Sequence, residues 1–437
     1  LGHAIPPRAG SSAGTILVAS LIGTTIEFFD FYIYATAAVL VFPKLFFPES
    51  DQLTGTLQSF ATFALAFFAR PIGSALFGHF GDRIGRKATL ITALLTMGIS
   101  TVVIGLLPTY ASIGVSAAFL LAACRLGQGL GLGGEWGGAV LLATENAPPG
   151  KEAWYGCFPQ LGAPLGFLCS TGVFLLLSSA LSEAQFLAWG WRVPFLASAA
   201  LVLVGLVLRL RLVETPQFKR LMERGGRERV PLLTVISRHS RPLILGTLAA
   251  TATFLVFYLM TVFTLFWATS KLGFSRKDFL ILLMIGVLFF GATIPVSALV
   301  ADRIGARLML IFASIGLFAL GFTFQPVFGA GTGVAVLSFL ALGLALTGLT
   351  YGPLGSCLAA LFPTSVRYTG ASLTFNLAGI VGAALSPRIA ATLATEYGLP
   401  AVGWYLSTAA AVSLAALLVL GRLSRTRDPV APSAVEN

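Results

Sequence analysis

Charge is what this chain has least of. Asp, Glu, Lys and Arg make up 10% of its 437 residues, where a soluble domain carries roughly 25%. With 56% apolar residues and a mean hydropathy of +0.89, it cannot cover itself with a polar surface in water. Histidine is nearly absent. His3, His79 and His239 lie far apart, and none falls in the middle of an apolar run, so no histidine-based metal or catalytic set is expected. The four cysteines, Cys124, Cys157, Cys169 and Cys357, show no metal-ligand spacing and imply no disulfide framework. The expectation is therefore no metal and no cofactor. Also missing are the alternating segments of about ten residues that build a transmembrane β-barrel. The opening LGHAIPPRAGSSAG has no basic-then-apolar pattern separable from the run after it, so no cleaved signal peptide is expected.

What the chain has instead is long apolar runs. A bilayer core about 30 Å thick takes about 20 apolar residues per helix. About twelve runs qualify on that measure: 15–42, 57–80, 88–108, 112–143, 153–180, 191–212, 242–269, 279–300, 307–326, 332–361, 368–394 and 399–422. They predict an all-α membrane protein of twelve transmembrane helices. The net charge of +11 is concentrated at Arg83, Arg86 and Lys87, from Arg209 to Arg241, at Arg303 and Arg307, and from Arg422 to Arg427. Twelve spans put all these clusters on one side. The positive-inside rule makes that side, and both termini, cytoplasmic. Lys271, Arg276 and Lys277 fall on the opposite side, and nothing in the sequence accounts for them. The basic segments flank the membrane, so their partner is the bilayer and not nucleic acid.

The longest polar insertion divides the chain into six spans and six. The expected layout is a cytoplasmic segment over 1–14, a first bundle over 15–212, a central cytoplasmic loop over 213–240, a second bundle over 241–422 and a cytoplasmic tail over 423–437. Repeats support the division. Asp82-Arg83-Ile84-Gly85 matches Asp302-Arg303-Ile304-Gly305, Phe31-Tyr32 matches Phe257-Tyr258, and Pro148 matches Pro363. Two pseudo-symmetric six-helix bundles can rock about a site at their interface, exposing it to each side in turn.

The stretch GHFGDRIGRK, from Gly78 to Lys87, is a tight charged turn between the second and third spans. Gly78 admits a neighbouring helix and Gly85 a sharp turn. Asp82 can cap the third span and pair with basic groups such as Arg83, Arg86 or Lys87. Glu145, at the end of the fourth span, is a further partner. This turn resembles the signature loop of the major facilitator superfamily. Arg125 to Lys151, Gly190 to Phe195, Leu361 to Pro387 and TIEFFDFYIY in the first span resemble that superfamily's metabolite:proton symporter branch. The resemblance covers nearly the whole chain. It implies a secondary active transporter of the bacterial inner membrane that imports a small organic solute with protons. Members of that branch take di- and tricarboxylates, ketoglutarate, shikimate and zwitterionic osmolytes. Three positions depart from the pattern: Ala298 replaces a glycine, Ala360 an acid, and Glu152 a basic residue. The second latch, with Asp302 and Arg303, is therefore expected to be the weaker one.

Within the first span, Glu27, Asp30 and Tyr34 share one helical stripe. A central acid costs roughly 2.5–3.5 kcal/mol on insertion, and a good apolar residue returns about 0.3–0.6. Two acids nearly cancel the insertion energy of a span, so a chain that keeps them uses them or holds them in a buried ion pair. Arg125, Gln128, Leu132 and Glu135 form a stripe in the fourth span. Arg125 cannot lose its proton and needs a counter-anion: Asp30, Glu27, Glu135 or a substrate carboxylate. A carboxylate displaced from it by substrate can take a proton. Asp30 is therefore the expected proton carrier, with Glu27 and Glu135 behind it. Arg125 is the expected anion anchor or electrostatic tuner, with Gln128 and Tyr34 beside it.

The second half has Val256 where Asp30 would repeat, and offers Tyr258, Trp267, Tyr351 and Asn376 to orient a solute or simply to pack. Arg367, after Pro363, reads as a cytoplasmic gate residue. The glycines Gly129, Gly131 and Gly134 spell a dinucleotide motif, but on an apolar helix they serve close packing. The expected activity is proton symport of a carboxylate by a monomer. A zwitterionic osmolyte such as a betaine is the alternative substrate; a membrane enzyme and a channel are the alternatives from other classes.

Overall fold

The computed structural model describes residues 13–50, 52–84, 86–211, 231–363 and 366–425, with the backbone alone at 13, 15, 16, 19, 52, 78–84, 86–90, 208, 209, 211 and 422–425. The gate positions Gly78, Asp82, Arg83, Arg86 and Lys87 therefore have no side-chain description, and Gly85 lies outside the described residues. Among the described residues the structure is helical, with no strand.

Twelve spans run in order. In the first half they are α1 (Ala13–Leu40), α2 (Gln52–Ile84), α3 (Arg86–Leu106), α4 (Ser116–Gly133, resuming as Trp136–Glu145), α5 (Glu152–Ala180) and α6 (Val193–Arg211). In the second they are α7 (Ser240–Ser270), α8 (Arg276–Ile304), α9 (Ala306–Gly321), α10 (Gly333–Ala360), α11 (Arg367–Tyr397) and α12 (Leu399–Arg425). Eight of these are long and apolar enough to cross a bilayer by those measures alone, and Ala306–Gly321 and the Ile91–Leu106 part of α3 are shorter apolar helices.

The halves repeat one packing scheme. In the first, α1 packs on α5 and α6, α2 on α4, and α3 on α6. In the second, α7 packs on α11 and α12, α8 on α10, and α9 on α12. Between halves α5 lies along α8 and α2 along α11. The duplicated Phe-Tyr pairs meet at the centre as a two-fold axis requires, where residue i touches j and j touches i. The Phe31 ring lies 6.5 Å from Tyr258, and the Tyr32 ring 5.4 Å from Phe257.

Three spans depart from a regular helix. The run over 112–143 reads as continuous in sequence, but the helix breaks between Gly133 and Trp136. The glycines before the break let α4 press on its neighbours. A Cβ on Gly131 would stand 2.6 Å from the Ala93 carbonyl oxygen, and one on Gly129 would strike the Ala66 backbone. In α7 and α11 the helix widens to a π-turn over Leu259–Phe263 and Ile380–Ala384, directly after Tyr258 in α7 and four residues after Asn376 in α11. Such turns recur at functional sites. The repeated Asp302-Arg303-Ile304-Gly305 ends α8, with Gly305 at φ 95°, a conformation that favours glycine.

Candidate transport site

Asp30 is fully buried on α1. Its surroundings come from three other helices: Thr101 of α3, Ser198 of α6 and the charge of Glu135 on α4. The two hydroxyls stand beside it, yet neither carboxylate oxygen of Asp30 nor the Ser198 Oγ has a well-formed hydrogen bond. Thr101 explains part of this. Its Oγ1 donates to the Met97 carbonyl at 3.0 Å and accepts from Gln128 Nε2 at 2.8 Å. Gln128 Oε1 in turn accepts from Arg125 Nη1 at 3.0 Å. A line of polar groups therefore runs from Arg125 through Gln128 and Thr101 to the flank of Asp30.

Arg125 is fully buried, and its counter-charge is not an acid. The guanidinium carbon sits 4.1 Å from the Tyr34 ring centre, 4.2 Å from Phe31 and 4.9 Å from Phe63. Nε reaches the Phe63 carbonyl at 3.4 Å, and Nη2 has no partner. Among the described residues no carboxylate pairs with it, so of the counter-anions open to it in sequence none of Asp30, Glu27 or Glu135 fills that place. The helical register explains this in part: the position three residues on brings Gln128 to the guanidinium, and the helix breaks before Glu135. Ring faces are worth about 2 kcal/mol to a desolvated cation. They accept nothing in the plane of the N–H groups, and a buried donor left unmade costs about 1–3 kcal/mol, more when charged.

A second buried arginine escaped the sequence reading. Arg70, on α2, is only 4% exposed. Its guanidinium lies 4.4 Å from the Phe31 ring centre and 4.6 Å from Phe67. Tyr32, Tyr258, Tyr351 and Glu27 supply its charged and phenolic surroundings, and its Nε has no partner. The signal was present: a lone arginine midway along the run 57–80. Arg192 shows what a structural arginine has here, since its Nη1 donates to the carbonyls of Gly105 and Leu107 at 2.8 and 2.6 Å.

The remaining predicted residues divide into two sets. Tyr34, Tyr258, Tyr351 and Glu27 belong to this buried centre. Tyr34 donates to Thr62 Oγ1 at 2.8 Å. The Tyr258 ring packs against Phe31, Phe63 and Phe67. Tyr351 lies against Phe290, and Glu27 is buried with its interactions made. Trp267 stands apart, half-buried against Phe263. Asn376 serves helix contact, donating to Ser74 Oγ at 2.8 Å, while Ser74 bonds the Gly133 carbonyl.

Asn376 is one of several links between the halves toward the face that carries the basic loops. Tyr368 donates to the Gly134 carbonyl at 2.8 Å, and Trp136 stacks on Phe375 with ring centres 3.6 Å apart. Asp302 accepts from the backbone N–H groups of Ala153 and Trp154 at 2.8 and 3.0 Å. It thus caps α5 from the other half, where the helix dipole favours an anion. Arg303 is exposed, Arg367 braces the Phe362 carbonyl at 3.2 Å, and Glu145 is half-buried at the end of α4. On the opposite face Glu183 pairs with Lys44 at 3.0 Å and with Arg276 of the other half at 2.8 Å. Burial alone would raise the Glu183 carboxyl, but the Lys44 hydrogen bond and the Arg276 charge outweigh it and hold the group below the usual carboxylate range. Arg276, unexplained by charge bias, thus has a partner across the two halves.

The family model for the Major Facilitator Superfamily matches residues 20–387. The inner membrane metabolite transport protein YhjE of Escherichia coli (strain K12) is 57% identical over 415 residues, 94% of each chain. The shikimate transporter of the same organism is 36% identical over 89% of each chain. A proline/betaine transporter of Salmonella typhimurium is 34% identical over 91% of this chain and 81% of its own. Among solved structures, the proton:xylose symporter XylE superposes with a TM-score of 0.73 at 16% identity, over 94% of this chain and 95% of that one. With its paired six-helix halves, this chain belongs to the Major Facilitator Superfamily and is a multi-pass inner-membrane metabolite transporter.

Proposed function

We propose that the protein imports a small organic anion together with protons, by alternating access. The observation that carries this is the line Arg125–Gln128–Thr101–Asp30, which joins a buried cation with a free donor to a buried acid. Arg125 Nη2 takes the substrate carboxylate. A substrate oxygen there competes with Gln128 for the guanidinium, and Gln128 holds Thr101. Hydrogen bonds to a carboxylate favour its charged form, so a shift of Thr101 changes whether Asp30 keeps a proton. Glu135, which faces Asp30, and Glu27 are the further acids of this half. Tyr34, Tyr258 and Tyr351 shape the binding volume. The links through Asp302, Tyr368 and Asn376 close the basic face, which the charge bias assigns to the cytoplasm together with both termini.

A relative named as a shikimate transporter supports a carboxylate; one named as a proline/betaine transporter supports a zwitterion. Aromatic rings could cage a quaternary ammonium. Here Phe31, Phe63 and Phe67 already have arginines on them, which favours the anion. The test is uptake into proteoliposomes under an imposed pH gradient, with carboxylates, aromatic acids and betaines. Accumulation of an acid that collapses with the gradient supports the proposal. Accumulation of a betaine and of no acid refutes it.

A further inference from the structure

We propose that Arg70 is a second anion-binding group, and that the site is shaped for a solute with two acid groups. This rests on the reading of Arg125 as the first anchor. Arg70 and Arg125 come from different helices, α2 and α4, and both guanidinium carbons stand within 4.4 Å of the same Phe31 ring centre. One small molecule can therefore reach both. Each is almost fully buried, and each keeps a buried N–H without a partner, Nε on Arg70 and Nη2 on Arg125.

Burial of two like charges around one ring is unfavourable by itself, since an unpaired buried ion costs several kcal/mol. Glu27 is the one acid in the surroundings of Arg70; the rest are the phenols of Tyr32, Tyr258 and Tyr351. Asp30 stands beside Thr101 and Ser198, at the far end of the polar line from Arg125. Around the Phe31 ring, both guanidinium groups thus keep an N–H donor with no acceptor. A dianion supplies the in-plane acceptors that ring faces lack. Arg70 touches rings of the first half and feels phenols of the second. Tyr258 and Tyr351 belong to the second half, so an acid group on Arg70 lies where the halves move against each other.

The probes are succinate and glutarate, their mono-amides succinamate and glutaramate, butyrate and glycine betaine. Binding to the purified full chain in nanodiscs is read by thermal shift and by intrinsic tryptophan fluorescence. At least one diacid should bind about tenfold or more tighter than its own mono-amide, a difference of about 1.4 kcal/mol for one charge-assisted hydrogen-bond set. In Arg70→Gln that preference should fall to within about threefold, while the mono-amide keeps its wild-type affinity. A folding defect would weaken both ligands alike and leave the ratio unchanged. Should Arg70→Gln not fold, Arg70→Lys carries the test, because it keeps the charge, loses the planar fork and should lower the ratio part of the way. An undiminished ratio in the variant overturns the proposal, as does a wild type that binds diacid and mono-amide equally. Binding of butyrate with no diacid preference overturns Arg70's role and leaves the carboxylate reading standing. Binding of betaine with no acid overturns both.

Discussion

The two halves share a plan and differ in what they bury. Among the described residues, five charged side chains are buried, Glu27, Asp30, Arg70, Arg125 and Glu135, and all five lie in the first half. The second half buries threonines, serines and Asn376, but no charge. The helix pairings repeat, the Phe-Tyr pairs meet across the axis, and Asp302 repeats Asp82 in sequence. The two halves thus share helix packing, while the buried charges stand in one of them. On the proposed reading the first half handles the proton, and the second supplies shape, phenols and contacts between the halves.

Five substitutions would break or sharpen that contrast. The largest effect belongs to Arg125. Arg125→Lys keeps the charge and loses the fork, so substrate affinity should fall about tenfold or more, while counterflow at saturating substrate survives in part. Unchanged affinity in a direct binding assay would limit Arg125 to tuning Asp30.

Next comes the connection itself. Thr101→Val removes the acceptor for Gln128 Nε2 and the hydroxyl beside Asp30. Leaving a buried amide donor unpaired costs about 1–3 kcal/mol. Proton-driven uptake should fall several-fold or more, and its pH dependence should move, with binding at fixed pH changed less. A variant whose pH profile overlays the wild type would remove Thr101 from the line.

Asp302→Asn should act on closure rather than on chemistry. It replaces a charged cap on two N–H groups by a neutral one, worth about 0.5–2 kcal/mol. The expected result is a few-fold shift toward the state open on the basic face, read by labelling a cysteine placed between α5 and α8. The first-half latch has Glu145 where the second has Ala360, so Asp82→Asn should impair transport more. Equal losses would contradict that asymmetry.

The smallest effect is expected at Glu183, since an exposed ion pair contributes about 0.2–1 kcal/mol. Its folded carboxyl is held below the ordinary range. Its stabilisation is therefore complete above the ordinary carboxylate range and is lost only as pH falls through the lower folded value. Glu183→Gln should loosen the outer contact slightly and leave the uptake profile between about pH 5 and 8 in place. A displaced profile would mean that the outer pair, and not the buried centre, sets the pH response.

The fold and two buried charges of the candidate site were legible for one physical reason. In an apolar run, a charge is expensive enough to stand out, which is how Asp30 and Arg125 are seen. Arg70 is equally expensive and lies midway along its run, but no acid stands in that run to draw attention to it as a partner. Thr101 and Ser198 leave no trace in sequence. A helical hydroxyl commonly bonds the carbonyl four residues back, as Thr101 does, and only three-dimensional packing shows which of them faces an acid. The Glu183–Arg276 pair joins two helix N-termini separated by 93 positions, beyond what a single sequence can pair. The break in α4 depends on how its glycines meet α2 and α3, which periodicity does not encode.

The central claim is that the proton rides on the first half, at Asp30. Asp30→Asn is nearly isosteric and mimics the protonated acid permanently. Purified and reconstituted, this variant should bind substrate and exchange it across the membrane at rates near wild type, yet fail to accumulate it against a gradient when an imposed pH difference is the driving force. Uphill accumulation by Asp30→Asn under that pH difference would contradict the account, and the same test would pass to Glu27→Gln and Glu135→Gln.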